Sequence, residues 1–456
     1  MTRKPKNGPA PDPFASDDPV DRAVPRPPGG EDAFDTLGFD TSFGMTPGGG
    51  TVNDADDTPP TGVYLGEDVQ VLDPSAIGRA LAEAEGHGED ELATPDLAAL
   101  QVGLVGIDLG ASGAVVARFE DGRHEIVHNE HDERLTPVAI FFDDDGELII
   151  GREARQMAPS APQRAILNLK DMISRPGFTF SPGGAHKNLD APNVLALFLR
   201  RLLDYAGSPT HVALAAPAWF GPREREVLAQ AVGLLDVNLV GITDECLAAA
   251  VPYSLRLPDL NPRTALVFDL GHAALGVGVV RCASGDIKVM AQGARRDLGG
   301  GAWDLILAEE AARKLKQAHG VDPLADDASK LDLLLRAEEA KKALSQRAQF
   351  TLVASGGGKS LKVGFTRPAF EEAARPLIER SVQFVREVRD KGGVKDWSGI
   401  DALILTGGGC KTPALRQALA AETGHEAERG TGMEEGVALG ALYWGIGERH
   451  RRRKSP

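Results

Sequence analysis

Leu104-Val-Gly-Ile-Asp-Leu-Gly-Ala-Ser-Gly-Ala-Val-Val-Ala117 is the stretch on which the reading of this chain turns. Its apolar run, Val102–Leu109, predicts a buried strand, and a second β-branched run begins at Val115. Between them Asp108-Leu-Gly-Ala-Ser-Gly-Ala is a tight, glycine-rich turn. Gly110 and Gly113 let backbone N–H groups converge on an anion such as phosphate. Asp108, at the strand end, is placed to hold Mg²⁺ through water. The same residues also read as an ordinary glycine hairpin with a solvent-facing aspartate, so the choice rests on the remainder of the chain.

The remainder contains an echo. Thr264-Ala-Leu-Val-Phe-Asp-Leu-Gly271 repeats the strand followed by Asp-Leu-Gly about 160 residues later, and it too precedes a β-branched run, Val277–Val280. Two such halves imply two pseudo-equivalent domains clasping one anionic ligand, with Asp108 and Asp269 facing a shared metal–phosphate group from opposite sides. Two more glycine turns lead into helices: Asp297-Leu-Gly-Gly-Gly-Ala-Trp-Asp304, and Ala402-Leu-Ile-Leu-Thr-Gly-Gly-Gly-Cys410 after a strand. Triple glycine after a buried strand permits close approach of a flat or phosphorylated ligand.

Working outward, Val102 onward reads as α/β. A meander over 102–109, 114–119, 124–128 and 137–142 precedes a helix over Asn193–Tyr205, a strand His211–Ala216, a helix from Pro222 and a strand Val237–Ile242. Long helical patterns follow at Lys330–Ser345 and Pro413–Thr423, and Glu434–Ala441 predicts a helix with small residues on one side. The net charge of −16 is uneven, since 20 acidic and 6 basic residues fall in positions 1–101. Residues 1–72, rich in Pro, Gly and Asp, predict a disordered acidic extension; 73–101 predict a helical linker segment. Val63-Tyr-Leu65 and Phe34–Phe43 interrupt that extension as short apolar clusters. Three scattered cysteines argue against a disulfide framework or a zinc site. No run approaches the roughly 18 apolar residues of a membrane span, and no signal sequence opens the chain, so a cytoplasmic protein is expected. The basic run Arg449–Lys454 reads as a solvated tail over 449–456 and not as a nucleic-acid site.

Nine landmarks, in order, carry a family resemblance: Gly106-Ile-Asp-Leu-Gly110, Leu135-Thr-Pro137, Leu169-Lys-Asp-Met172, Ala216-Pro-Ala-Trp-Phe220, Asp244-Glu-Cys-Leu-Ala-Ala-Ala250, Val267-Phe-Asp-Leu-Gly271, Leu298-Gly-Gly300, Glu338–Ser345 and Leu405-Thr-Gly-Gly-Gly409. From Val102 to Gly447 the chain resembles the nucleotide-binding domain of the seventy-kilodalton heat-shock chaperones (DnaK type), within the actin-like ATPase superfamily. The resemblance implies an α/β, actin-like fold of two ribonuclease-H-like lobes, 102–262 and 263–448, around a cleft for ATP and Mg²⁺. It implies that Asp108 and Asp269 hold the magnesium shell, that Lys170 approaches the γ-phosphate, and that Glu245 orients the attacking water. Gly110, Ala111 and Ser112 would form the first phosphate loop and Gly271 with His272 the second. Gly299 and Gly300 would lie near the ribose and phosphates. Glu338, Lys341, Lys342 and Ser345 would frame the adenosine, with Gly407, Gly408 and Lys411 closing the other side.

Departures accompany the matches. Where the family has Asp-Leu-Gly-Thr-Thr, this chain has Asp108-Leu-Gly-Ala111-Ser112. Where it has Asp-Leu-Gly-Gly-Gly-Thr-Phe-Asp, this chain has Asp269-Leu-Gly-His272-Ala-Ala274-Leu-Gly276, so a threonine and the second aspartate are gone and His272 is expected to crowd the phosphate turn. The expectation is a divergent ATP-binding switch or co-chaperone with slow or absent hydrolysis, without the family's peptide-binding β-sandwich. Its protein partner or client would dock on the extension or on a lobe surface. The alternatives are a nucleotide-independent scaffold acting through the acidic extension, or an actin-like filament protein or small-molecule kinase of the same superfamily; a kinase needs a further substrate-facing carboxylate, for which no clear candidate is present.

Overall fold

Two sheets face one another across a shared pair of helices. The computed structural model describes residues 62–65, 102–120, 122–183, 188–257, 261–283, 286–429 and 432–454. All of them fall within one compact unit of the chain. The helical segment expected over 73–101, and the extension over 1–72 apart from 62–65, lie outside the described residues.

In the first lobe, β2 (Leu104–Leu109), β3 (Gly113–Glu120) and β4 (Arg123–Ile126) form an antiparallel meander. β5 (His211–Ala216) and β6 (Asn238–Asp244) then add in parallel beyond β2, giving the order β6-β5-β2-β3-β4, with Thr136–Pro137 paired to β3. The second lobe repeats the plan. β7 (Arg263–Leu270), β8 (Leu275–Ala283) and β9 (Asp286–Arg295) are an antiparallel meander, and β10 (Ala402–Thr406) lies parallel to β7. At the far edge is β1, Gly62–Leu65, antiparallel to β9. So a strand stands inside the stretch read as an extension: a segment with β-forming Val63 and Tyr64 finds a sheet edge that supplies the hydrogen bonds it could not make alone.

The echo seen in the sequence is therefore a repeat of topology. Asp108 pairs with Val115 on its antiparallel side and with Ala215 on its parallel side. Asp269 pairs in the same way with Gly276 and Thr406.

Between the sheets lie α4 (Glu245–Leu255) and α7 (Gly436–Lys454). Their buried residues form one cluster with Leu104, Val115 and Ala213 of the first sheet and Val267, Val280 and Ile404 of the second. Small residues make this crossing possible: a Cβ on Gly440 would stand 1.8 Å from the carbonyl oxygen of Ala248. Each lobe also has a core of its own. In the first lobe α3 (Ala191–Tyr205) buries Val194, Leu195, Phe198 and Leu202; Asp190 caps it by accepting from the Asn193 N–H. In the second, α5 (Gly300–His319) and α6 (Asp327–Gln346) bury Trp303, Leu307, Leu333 and Ala337. No described helix is long and apolar enough to cross a membrane.

The basic tail is a correction. Arg449 through Lys454 continue α7, and Arg449 Nη1 donates to the Val102 carbonyl at 3.2 Å, Arg452 Nη2 to that of Val240 at 2.6 Å. These arginines satisfy carbonyls at the end of the first sheet, which a linear reading of charge does not reveal.

Candidate functional site

The ends of the two repeated strands bring their carboxylates to the floor of one cleft. α2 (Leu169–Ser174), capped by Asn168, carries Lys170 there, and Glu245 arrives as the first residue of α4 directly after β6. Lys170 Nζ donates to Glu245 Oε1 at 2.5 Å, both side chains being buried. Burial pushes Asp108 up to about 7, with the Glu245 charge adding to the rise and Lys170 opposing it. Burial likewise carries Asp269 well above the ordinary carboxylate value, with Glu245 and Asp108 adding. Burial works against the Lys170 charge, but Glu245, Asp108 and Asp269 outweigh it and hold the ammonium above its usual pKa. Three carboxylates thus share one ammonium, and the floor is short of positive charge. Hard oxygen donors in this deficit fit a divalent cation such as Mg²⁺.

Glycine loops wall the cleft, whose volume is about 250 Å³. Gly110, Ala111 and Ser112 line it from the first lobe, and Gly271, His272 and Gly300 from the second, together with Gly407, Gly408 and Lys411. Gly407 has φ 82°, and a Cβ there would stand 2.4 Å from the Leu270 carbonyl oxygen and 2.6 Å from Asp269 Oδ1. Only glycine fits this place. Gly299 is the exception among the residues singled out from the sequence: it does not line the cleft. It lies under the second loop, where a Cβ would meet Ala274 N at 2.5 Å. The following amides are also engaged, Gly300 N–H with the Gly271 carbonyl at 2.8 Å and Gly301 N–H with that of His272 at 2.9 Å.

Higher in the cleft, Glu338, Lys341, Lys342 and Ser345 line the wall from α6. Each charged one already holds a protein partner. Glu338 accepts from Arg155 of α1 (Arg152–Met157), across the two lobes, and from Lys342 Nζ at 2.7 Å. Burial alone would raise the Glu338 pKa; Arg155, Lys342, His272 and Lys341 together hold it well below the ordinary value. Lys341 Nζ meets Asp304 Oδ1 at 2.8 Å and the Gly300 carbonyl at 2.9 Å. Lys411 Nζ meets Glu434 Oε2 at 2.5 Å. His272 Nδ1 stands 3.5 Å from Asp304 Oδ2, beside the start of α5.

Arg155, Asp304 and Glu434 were not read from the sequence as site residues. Asp304 closes a glycine turn that was singled out, and that turn was its only signal. Arg155 has none, since its partner lies 183 residues away.

The model of the Hsp70 protein family matches residues 104–180 and 182–446. The chain belongs to the Hsp70 family. Its fold is accordingly the actin-like ATPase fold, in agreement with the two-lobed α/β reading. It is also similar to the chaperone protein DnaK of two strains of Halobacterium salinarum, at 30% identity over 351 residues. Those residues are 75% of this chain and 55% of each relative, so the chain spans about half the length of the curated relatives it matches. Within this Hsp70-family cleft, the lining positions 111, 274 and 276 are Ala, Ala and Gly, which bring neither a hydroxyl nor a carboxylate.

Proposed function

We propose that the cleft binds ATP with Mg²⁺ and that the chain is a nucleotide-dependent conformational switch which hydrolyses ATP slowly or not at all. The observation that carries this reading is the charge deficit formed by Asp108, Asp269 and Glu245 around Lys170, set among glycine loops. Asp108 and Asp269 would hold the metal, which when bound supplies neutralisation of phosphate charge. Lys170 would face the terminal phosphate while Glu245 keeps it charged and oriented and shares in positioning a water. Ser112 is the hydroxyl left to the first loop.

Catalysis is weakened at three places. A hydroxyl donor or carboxylate absent at Ala111, Ala274 or Gly276 costs on the order of 10²-fold in phosphoryl transfer, while binding retains its backbone contacts. In this reading lobes I and II run over 102–262 and 263–448, and their closure on nucleotide is passed to a protein partner on a lobe surface or on the N-terminal extension. A second reading has its own support: Glu338, Lys341 and Lys411 are each engaged within the protein, as in a scaffold that needs no nucleotide.

Single turnover with labelled ATP, excess protein and Mg²⁺ separates the two. Bound ATP, converted to ADP over hours and no longer converted in Lys170→Ala, supports the switch with slow hydrolysis. ATP bound but intact supports a switch without hydrolysis. ATP that stays unbound refutes the proposal and favours the scaffold.

A further inference from the structure

The function proposed for the cleft leaves β1 unused. Gly62-Val-Tyr-Leu65 lies in a Pro-, Gly- and Asp-rich stretch of sequence. It nevertheless runs along the outer edge of the second sheet, with Gly62 opposite Ala294, Val63 opposite Gly293, Tyr64 opposite Gln292 and Leu65 opposite Ala291. A sheet edge offers a row of unpaired N–H and C=O groups, and a short extended segment is the ligand that satisfies them.

The strand it covers also touches the other lobe. Gln292 Nε2 donates to Asp244 Oδ2, at the end of β6, at 3.2 Å. Ala294 packs within the first lobe's core. One residue past β9, Arg296 Nη2 donates to Asp171 Oδ1 of α2 at 2.5 Å and its guanidinium lies 5.2 Å from the centre of the Trp219 ring. The run 291–296 therefore carries both the docked segment and a seam between the lobes.

We propose that the edge 291–294 is a strand-docking site whose ligand is the chain's own segment Gly62–Leu65, and that docking is a removable clamp on the seam. Docked, β1 stiffens β9 and keeps Gln292 and Arg296 against the first lobe. Released, it frees both contacts and lets α2 loosen. The clamp stands whether or not the cleft takes nucleotide.

Amide hydrogen exchange on the full chain, without nucleotide, tests it. In Val63→Pro/Tyr64→Pro two backbone donors are removed from β1 and its pairing is blocked. The expected result is exchange faster by ~10-fold or more at 291–296 and at 169–174, with the α6 amides unchanged, because local opening costs less once a strand is lost. A chain lacking residues 1–72 serves as the second variant and is expected to match. Unchanged exchange at 291–294 overturns the docking. Faster exchange there with 169–174 unchanged overturns the clamp. Wild-type protection that falls on dilution assigns the strand to a second copy and overturns the intramolecular site.

Discussion

Asp108→Asn is expected to make the metal-free protein more stable at pH 8 and to leave it nearly unchanged at pH 4. Burial and the Glu245 charge lift the Asp108 carboxyl from 3.8 to about 7 in the folded state. A raised pKa means the native state binds this proton more tightly than the unfolded chain does. Its contribution is therefore fully present below about 4 and is lost as pH rises through 7. At about 1.36 kcal/mol per pH unit, the interval is worth about 4 kcal/mol at most. Asp108 is only half-buried, so solvent screening reduces this to ~2 kcal/mol. The neutral asparagine does not titrate, so the difference between the two proteins reports Asp108 together with its influence on Asp269 and Lys170. In thermal unfolding with EDTA the variant's Tm would exceed the wild type's by roughly 3–5 °C at pH 8 and by little at pH 4. Mg²⁺ should narrow the gap at pH 8 by stabilising the wild type. A gap that is absent at pH 8, or equal at both pH values, would refute the claim that the floor lacks positive charge.

Arg155→Ala removes the partner that crosses the cleft and leaves Glu338 with Lys342; a loss of ~1–3 kcal/mol in urea unfolding is expected, and an unchanged midpoint would show that the pair contributes nothing. Gly440→Ala places a Cβ on the Ala248 carbonyl where α7 crosses α4; a cost of roughly 2–4 kcal/mol is expected, visible as a fall in Tm, and a Tm within a degree of wild type would count against that packing. His272→Gly returns a glycine to the second loop. ATP titration calorimetry should show several-fold tighter binding, and equal affinity would mean that the imidazole does not obstruct the phosphate turn.

Much of this was legible before any coordinates. Strand ends at Asp108 and Asp269 are punctuated by glycines and preceded by apolar runs, signals that are local and strong. His211–Ala216, Pro413–Thr423 and the start of the helix at Pro222 stand where their patterns place them. Glycine-rich turns at 407–409 were legible because few other roles suit three glycines after a buried strand. Less was legible about Gly299. Its closeness to the second loop depends on how two turns pack, and that leaves no local mark.

By itself the sequence determined the repeated strand–aspartate plan, and with it the two sheets and the facing of Asp108 and Asp269; Lys170 and Glu245 joined them only through the family resemblance. Hydrophobic period and turn chemistry act over a few residues, so they are written along the chain. Only the tertiary structure decided which charges meet. Arg155 with Glu338, Lys341 with Asp304, Arg296 with Asp171, and β1 with the edge of β9 are pairings between distant segments. Their energies depend on distance and burial, which exist only once the chain has folded.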